Sequence, residues 1–576
     1  MHRTAVRVAL LLAVSGFCSL AYQVAWLRML RLIFGASTAA SAAVLAIFMG
    51  GLGVGGWLLG RRVERHARPF AFYAWVELGI TVTAALTPLL VLLAQTAYFG
   101  LGGTERLGMT GGTLLRLLLS TLVLGLPTFL MGGTLPAAAR SVELAGDRGR
   151  RATALLYGAN TVGAVVGAVA AAFLGLELLG VRNTIWAAAA ANLLVAAVAW
   201  RWAAAGLGEE PAAAVETAVA PAPAGAATTA PLPFVLGASA GVGFAFFLME
   251  LVWYRMLAPL LGGSSYTFGL ILAVALAGIG AGGLLYAAGS PDRRPSLVSF
   301  GATCAVEALC LIVPFALGDR LAVLALLLRP LGDAGFLPLT LVWTVIAGIV
   351  VFPAALVAGY QFPLLVAVLG TGREGVGREV GLTYAWNTLG AILGSFAGGF
   401  GLLPLLTAPG TWRLVTGLLL LLAIAALVLG LRSKEPRSNE PPSNEPRPRL
   451  AIPVAAGLIA ALLATAAGPS AFWRHSPIGA GRMKATFQNA NELDELITER
   501  RLAVAWEAEG VESSIAMDDL NQIIFTVNGK ADGSALRDAP NMVMSVLIGA
   551  LVHPRPRNTL VIGLGAGSSA GWLAEV

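Results

Sequence analysis

The segment Thr559–Ile562 is short, apolar and β-rich, and Gly563, Gly565, Gly567 and Gly571 follow it before the chain turns helical at Trp572–Val576. A strand, a glycine turn and a helix start make the opening unit of a nucleotide-binding fold. The glycines let backbone approach a ligand closely, and the helix N-terminus offers unpaired N–H groups. On this reading Gly563, Gly565, Gly567 and Ser568 hold a nucleotide-like ligand; the plainer reading is a tight turn. A second kind of chemistry lies inside the apolar runs, where an Asp, Lys or Arg costs roughly 2.5–3.5 kcal/mol and ionisable groups therefore mark sites. Glu250 stands deep in one such run, and Glu77, Glu177 and Glu307 lie within or near others. A cationic substrate such as a polyamine seeks a buried carboxylate, which makes Glu250 the first candidate. A Glu250–Arg255 ion pair, or a carboxyl kept protonated, is the bland alternative. Asn160 and Asn387 sit on glycine-rich runs, where Gly163 and Gly167, and likewise Gly390 and Gly394, are spaced i, i+4. That spacing permits close helix contact with the amide bonding across it, so packing competes with ligand binding at both positions. Tyr157 and Tyr384 precede these asparagines and read equally well as interfacial anchors.

These residues are carried by a sequence that the chain makes twice. Trp26, Arg28, Met29 and Leu30 return as Trp253, Arg255, Met256 and Leu257, an offset of 227 residues. In the same register Gly16 meets Gly243, and Gly51, Gly53, Gly55 and Gly56 meet Gly278, Gly280, Gly282 and Gly283. Further on, Gly132, Pro136, Arg151, Tyr157 and Asn160 meet Gly359, Pro363, Arg378, Tyr384 and Asn387. Apolar helices match leucines by chance, but not Trp, Arg, Tyr and Asn in one register. The chain is an internal duplication in which Glu250 stands where the first copy has Gln23.

Of 576 residues, 57% are hydrophobic and only 12% charged, with a mean hydropathy of +0.79. Soluble domains carry about 25% charged residues, so this is a polytopic membrane protein. The net charge of +7 is almost all arginine, since Lys434, Lys484 and Lys530 are the only lysines. The arginines fall between apolar runs as topology signals, and nothing resembles a nucleic-acid-reading motif. Cys18, Cys304 and Cys310 lie inside apolar runs and read as buried thiols. His2, His66, His475 and His553 are too scattered to bind a metal. The first apolar run belongs to the repeat, and Phe17 occupies the place where a cleavage site wants a small residue, so it is not a signal peptide.

A spanning helix needs about 20 apolar residues. Residues 1–205 offer six runs: Val6–Leu27, Ala39–Leu59, Phe70–Ala94, Leu114–Ala138, Ala154–Leu179 and Thr184–Trp202. Residues 232–431 offer Leu232–Leu257, Thr267–Ala287, Leu297–Leu317, Phe336–Leu369, Val380–Leu405 and Trp412–Leu431. The fold expected is mainly α, a membrane bundle of two six-helix repeats. The stretches 206–231, rich in Ala, Pro and Thr, and 432–449, with its SNEP repeat, are linkers. A thirteenth span is a candidate at 450–472. From 473 to 576 the character is soluble: an amphipathic helix at Asn491–Glu507, a hairpin of Ser513–Met517 and Gln522–Val527 around Asp518–Asn521, an Asn528-Gly529 turn, and a helix at Met542–Val552 ended by His553-Pro554.

Arginine asymmetry puts the N-terminus in the cytoplasm. Arg3, Arg7, Arg61, Arg62, Arg65, Arg68, Arg140, Arg148, Arg150 and Arg151 fall on one side, joined by Arg293, Arg294, Arg373, Arg378, Arg432 and Lys434. If 451–472 spans, everything after it lies on the opposite side; if it rests in the interface, the C-terminal part is cytoplasmic.

The order of hairpin, Asn-Gly-Lys turn, helix, His553-Pro554-Arg555-Pro556 and Leu560–Val576 resembles the start of the spermidine synthase domain. With the duplicated bundle before it, nearly the whole chain resembles the bacterial family of fused major-facilitator-like and spermidine synthase proteins. The resemblance implies an α/β Rossmann-like domain and a multi-pass protein of the bacterial inner membrane. It also implies polyamine biosynthesis: aminopropyl transfer from decarboxylated S-adenosylmethionine to a diamine such as putrescine. Asn541, Met542 and Val543 stand where the family has Tyr-His-Glu, and Ala566 where its loop has Asp. The family's ribose-holding acidic residue and catalytic aspartate have no counterpart up to Val576, so no catalytic residue is assigned and the chain alone is expected to be inactive. A parallel sheet ending after one strand–loop–helix start leaves apolar faces uncovered, which implies a longer reading frame. Two other functions compete: a transporter of polyamines or other small molecules with a degenerate soluble module, and a different S-adenosylmethionine-dependent transferase. The lipid bilayer and an amine are the partners implied, with no nucleic acid and no metal.

Overall fold

The computed structural model describes residues 3–34, 38–144, 146–147, 149–206, 230–290, 294–432, 450–483, 487–519 and 523–575, with the side chains of 31–42 and 265 outside that set. Almost all of both linkers lies outside the described residues, as do Arg148, Arg293, Lys434, Lys484, His2 and the turn residues Leu520–Gln522.

Among the described residues, ten helical segments are long and apolar enough to cross a membrane, and the chain is a multi-pass membrane protein. The first half comprises α1 (Arg3–Phe34), α2 (Thr38–Glu64), α3 (Pro69–Gly100), α4 (Gly103–Gly132), a short α5 (Thr134–Val142), α6 (Arg151–Ala170) and α7 (Gly180–Ala204). The second comprises α8 (Leu232–Leu261), α9 (Ser265–Ala287), α10 (Leu297–Leu317), α11 (Asp319–Leu328), α12 (Phe336–Leu369), α13 (Val376–Ala397) and α14 (Leu403–Arg432). Two of the ten segments, 151–204 and 376–432, each hold two passes. The breaks are duplicated. A π-helical stretch ends α6 at Ala171–Leu179 and α13 at Gly398–Leu402, and the reversals come at Gly180 (φ 74°) and Thr407 (φ 62°), one repeat offset apart.

Within each half the same glycines bring the same helices together. Gly163 and Gly167 leave no room for a Cβ against the carbonyls of Ala13 and Phe17 on α1, and Gly390 and Gly394 do the same against Ala240 and Phe244 on α8. Side chains larger than hydrogen would hold these axes apart, so the glycines are what the close crossing requires. The contacts also fix direction. α6 runs parallel to α1, and α7 returns antiparallel to α3, with Asn192 donating to the Glu77 carbonyl at 2.9 Å and Trp186 to the Ala85 carbonyl at 3.2 Å. Six passes return each half to the end where it began, here named the entry end; the opposite is the far end. An even number of passes makes the halves parallel, related by an axis along the membrane normal.

A further helix, α15 (Ala451–Leu463), lies beside α10, with Gly457 facing Ala305 and Gly468 packed on Phe315 and Gly318. Its 13 residues rise only about 20 Å, and residue 468 after it reaches the end of α10 at Phe315 and Gly318. The remaining elements therefore pack opposite the N-terminus, on the second half: α16 (Ala471–His475), α17 (Ala490–Ala503), β1 (Val504–Glu509), β2 (Ser514–Asp518), β3 (Ile524–Val527), β4 (Lys530–Ser534), α18 (Ala539–Val552) and α19 (Ser568–Glu575). The strands form one antiparallel meander in the order β1-β2-β3-β4. β2 pairs with β3 from Ile515–Val527 to Asp518–Ile524, and Asn528 (φ 48°) with Gly529 (φ 76°) turns β3 into β4. The amphipathic stretch 491–507 divides at Val504, because the sheet takes its last residues as β1.

The Rossmann-like opening expected at Thr559–Ile562 differs in the structure. That run forms no strand, and Leu560 and Ile562 are 85% and 92% exposed. A strand exists only by pairing, and the meander offers this run no neighbour.

Candidate functional site

The two halves meet along two symmetry-related helix pairs. α2 lies on α13, where Gly56 and Gly60 face Tyr384, Gly381 and Gly377. α9 lies on α6, where Gly283 and Gly280 face Tyr157, Gly158 and Val162. Both tyrosines are inside this seam, with Tyr157 stacked on Phe362 at 4.6 Å and Tyr384 edge-on to the same ring at 6.1 Å. The anchor reading of these residues is thereby corrected. A sequence cannot show that two tyrosines 227 positions apart share one phenylalanine.

Glu250 lies on the seam-facing side of α8, one turn from Phe247 and Tyr254 on the same stripe. Phe247 closes a small gap with Leu45 and Met49 of α2 and Ala391, Ile392 and Ser395 of α13. Glu250 is three turns from the end of α8 at Leu261, about 16 Å in by helical rise, and half-buried. Among the described residues none donates a hydrogen bond to it or forms an ion pair with it. In particular it does not pair with Arg255, whose Nη1 meets Glu509 at 3.2 Å and whose Nη2 donates to the carbonyls of Gly510 and Val511 at 3.1 Å each. The expected alternative of a Glu250–Arg255 pair fails because the two side chains leave α8 on different faces.

The other carboxyls occupy structural positions. Glu77 is fully buried within the first half beside Ser15, Tyr73 and Asn192, and Glu307 within the second accepts from Gln361 at 2.7 Å. Both are on the third helix of their half, away from the seam. Glu177 is exposed in the π-helical stretch at the far end. Asn387 donates to the Ser239 carbonyl at 3.1 Å, and Asn160 packs against Gly16 of α1. Both amides serve contacts within their own half.

The entry end holds a closure that the sequence did not disclose. Arg150, fully buried, reaches across the seam to pair with Glu379 at 2.5 Å and to donate to the carbonyls of Val366, Gly372 and Glu374. Glu64, itself paired with Arg140 at 3.1 Å, accepts from the Gly375 and Gly377 amides, both at 3.0 Å. Arg151 donates to the Ala287 carbonyl and Tyr286 to the Gly149 carbonyl. Glu143, in the loop before α6, is pushed up to about 8 by burial, although Thr153 donates to it. Arg150, in the loop before α6, and Glu64, at the end of α2, stand in arginine-rich stretches that read as topology signals, and only the contact between halves separates them from their exposed neighbours. At the far end the halves meet through apolar and aromatic contacts such as Phe173 to Tyr266, 5.2 Å apart.

The far end carries a second polar cluster, all of it on the second half. Asp319 accepts from Ser470 and pairs with Arg501 at 2.7 Å. Glu507 is held down at about 2, first by the hydrogen bond with His475 at 2.9 Å and then by Arg474 at 2.6 Å. Gly563, Gly565 and Gly567 all adopt positive φ (91°, 52° and 78°), nothing lies within 4 Å of a Cβ placed on any of them, and α19 starts at Ser568 directly after. The three left-handed glycines turn the chain into α19 without a sheet beneath them. Among the described residues no cluster of three metal-ligating side chains occurs.

No family model matches the chain, and no curated protein matches it. Among solved structures it is similar to the human organic anion transporter MFSD10 (TETRAN), with 14% identity and a TM-score of 0.43 over 74% of this chain and 99% of that one. It is also similar to the major facilitator superfamily proton:xylose symporter XylE bound to 6-bromo-6-deoxy-D-glucose, with 14% identity and a TM-score of 0.46 over 74% of this chain and 95% of that one. At these scores no substrate is carried over from either.

Proposed function

We propose that the chain is a membrane transporter whose two six-helix halves alternate access to a small-molecule site on their seam, with Glu250 as the charged group of that site. The observation that carries this is a carboxyl at bilayer depth, without a partner among the described residues, where two parallel repeats meet. Repeat interfaces near mid-membrane are where such bundles place substrate, and an ionisable group is retained there only against a cost of a few kcal/mol. A carboxylate favours a cationic solute, such as a diamine or polyamine. The contacts of Arg150 and Glu64 across the seam support a bundle closed at the entry end. Arginine asymmetry supports a cytoplasmic entry end, in a bacterial inner membrane. In proteoliposomes, Glu250→Gln should lower uptake of labelled putrescine at least tenfold, the scale of one lost charged contact. Uptake equal to wild type removes Glu250 from the mechanism.

A second reading, aminopropyl transfer with decarboxylated S-adenosylmethionine in a spermidine-synthase-like domain, is supported by the three left-handed glycines and the helix start at Ser568. Against it stand the missing strand and the placement of residues 473–575 at the end opposite the arginine-rich loops. Methylthioadenosine binding abolished by Gly565→Val would support this reading, and absence of binding to the wild type would dismiss it.

A further inference from the structure

A cavity of about 800 Å³ lies between α2 and α4 of the first half, near the far end. It borders the seam: Phe396 and Phe400 of the second half line it, and Ala46 and Phe396 also line the small gap under Phe247. Its walls are mostly apolar, with Ala43, Ile47, Val54, Leu117 and Phe129, and Thr113 and Thr121 add hydroxyls from α4. Leu114, Leu118 and Leu122 are exposed along the neighbouring face of α4, which is therefore apolar beside the cavity.

One charge enters it. Arg116 lines the cavity two turns below the break at Gly108, with its guanidinium 5.4 Å over the ring of Tyr98. Its Nε donates to the Gly112 carbonyl at 3.3 Å and its Nη2 to the Thr104 hydroxyl at 3.3 Å. Among the described residues no carboxylate pairs with it. A tyrosine and an arginine at the end of a span mark head-group level. Below them the cavity descends toward mid-membrane at Val54 and Phe129. A largely apolar cavity with one guanidinium at its mouth, paired with no carboxylate among the described residues, is complementary to an amphiphile with an anionic head.

We propose that this cavity is a lateral binding site for a membrane lipid with an anionic head group, its acyl chain between α2 and α4 and its phosphate or carboxylate on Arg116. The proposal does not rest on the transport reading, because Glu250 is not among the residues that line the cavity.

The probe is phosphatidylglycerol against phosphatidylcholine, offered to the full-length protein in mixed nanodiscs and read as lipid retained after extraction, by native mass spectrometry. Wild type should retain phosphatidylglycerol preferentially. Arg116→Ala should reduce that preference roughly tenfold, the scale of one charge-assisted hydrogen bond, while Arg116→Lys keeps part of it. Gly50→Phe fills the slot from α2 and should displace both lipids. Nothing lies within 4 Å of a Cβ at Gly50, so the new side chain starts into open space, and circular dichroism of the purified variant checks its fold. Unchanged retention in Gly50→Phe, unchanged preference in Arg116→Ala, or displacement of the lipid by inorganic phosphate alone would each overturn the proposal.

Discussion

The two halves of the bundle have one backbone and two sets of side chains. Their glycine crossings, π-helical stretches and reversals coincide at an offset of 227 residues, from Gly163 and Gly390 to Gly180 and Thr407. What hangs from that backbone has diverged. Gln23 of the first half is Glu250 in the second, and Arg28, exposed on α1, is Arg255, buried on α8 against the C-terminal part. Even Trp26 and Trp253, both buried, differ: the first donates to Thr87 at 2.8 Å, and the second has no hydrogen-bond partner among the described residues. Backbone was kept where helices touch, and side chains changed where a half acquired its own task. The second half holds the seam's carboxyl and the soluble part; the first supplies the arginine that closes the entry end.

The sharpest way to break this comparison is at that arginine. Arg150 is the first half's buried cation and Glu379 its partner in the second, and removing one member of a buried pair costs roughly 3–5 kcal/mol because the other is left uncompensated. Arg150→Ala should therefore lower thermal stability more than any other single change at the entry end, with Arg150→Ala/Glu379→Ala recovering part of the loss in a double-mutant cycle. Equal losses for the single and double variants would show that the carbonyls of Val366, Gly372 and Glu374, rather than the ion pair, hold the closure.

Arg28 and Arg255 sharpen it further. Arg255→Ala removes an ion pair and two hydrogen bonds between α8 and the loop after β1, worth roughly 2–4 kcal/mol in a buried setting. Limited proteolysis within residues 474–575 should accelerate at least tenfold, since cleavage follows local opening. Arg28→Ala, at the matching position of α1, should leave the rate unchanged. Equal acceleration by both variants would mean that α8 does not anchor the C-terminal part.

How much of this could be read without coordinates depends on the range of the forces involved. Apolar run length and a repeated Trp-x-Arg-Met-Leu are local, so the two sets of six runs stand out in the sequence, as do the Asn528-Gly529 turn and the 514–527 hairpin. Thr559–Ile562 has strand composition, but a strand is made by a neighbour, and none is adjacent. The 491–507 stretch carries a helical pattern that the sheet overrides at Val504. Glu250 was visible as a carboxyl in an apolar run, but so were Glu77 and Glu307; only packing separates the seam from the interior of a half. Arg150 was invisible for the opposite reason, being one arginine among many.

The last comparison concerns the backbone itself. Gly180 and Thr407 make the same reversal, at φ 74°, ψ 171° and φ 62°, ψ 169°. That combination is almost confined to glycine, and a residue with a Cβ held there is strained by roughly 1–3 kcal/mol. Thr407→Gly relieves the strain but gives back about 0.5–1 kcal/mol through the greater freedom of glycine in the unfolded chain. The net change should be a gain of about 1 kcal/mol, read as a small rise in melting temperature. Gly180→Thr should lose a similar amount, and since nothing lies within 4 Å of a Cβ at Gly180, that loss measures conformational strain without steric conflict. If Thr407→Gly instead lowers stability, the threonine side chain holds the reversal through its own contacts, and the second half has replaced a conformational solution with a packing one. Opposite signs at the two positions would show that both halves keep a glycine-type turn, and that one of them tolerates the wrong residue in it.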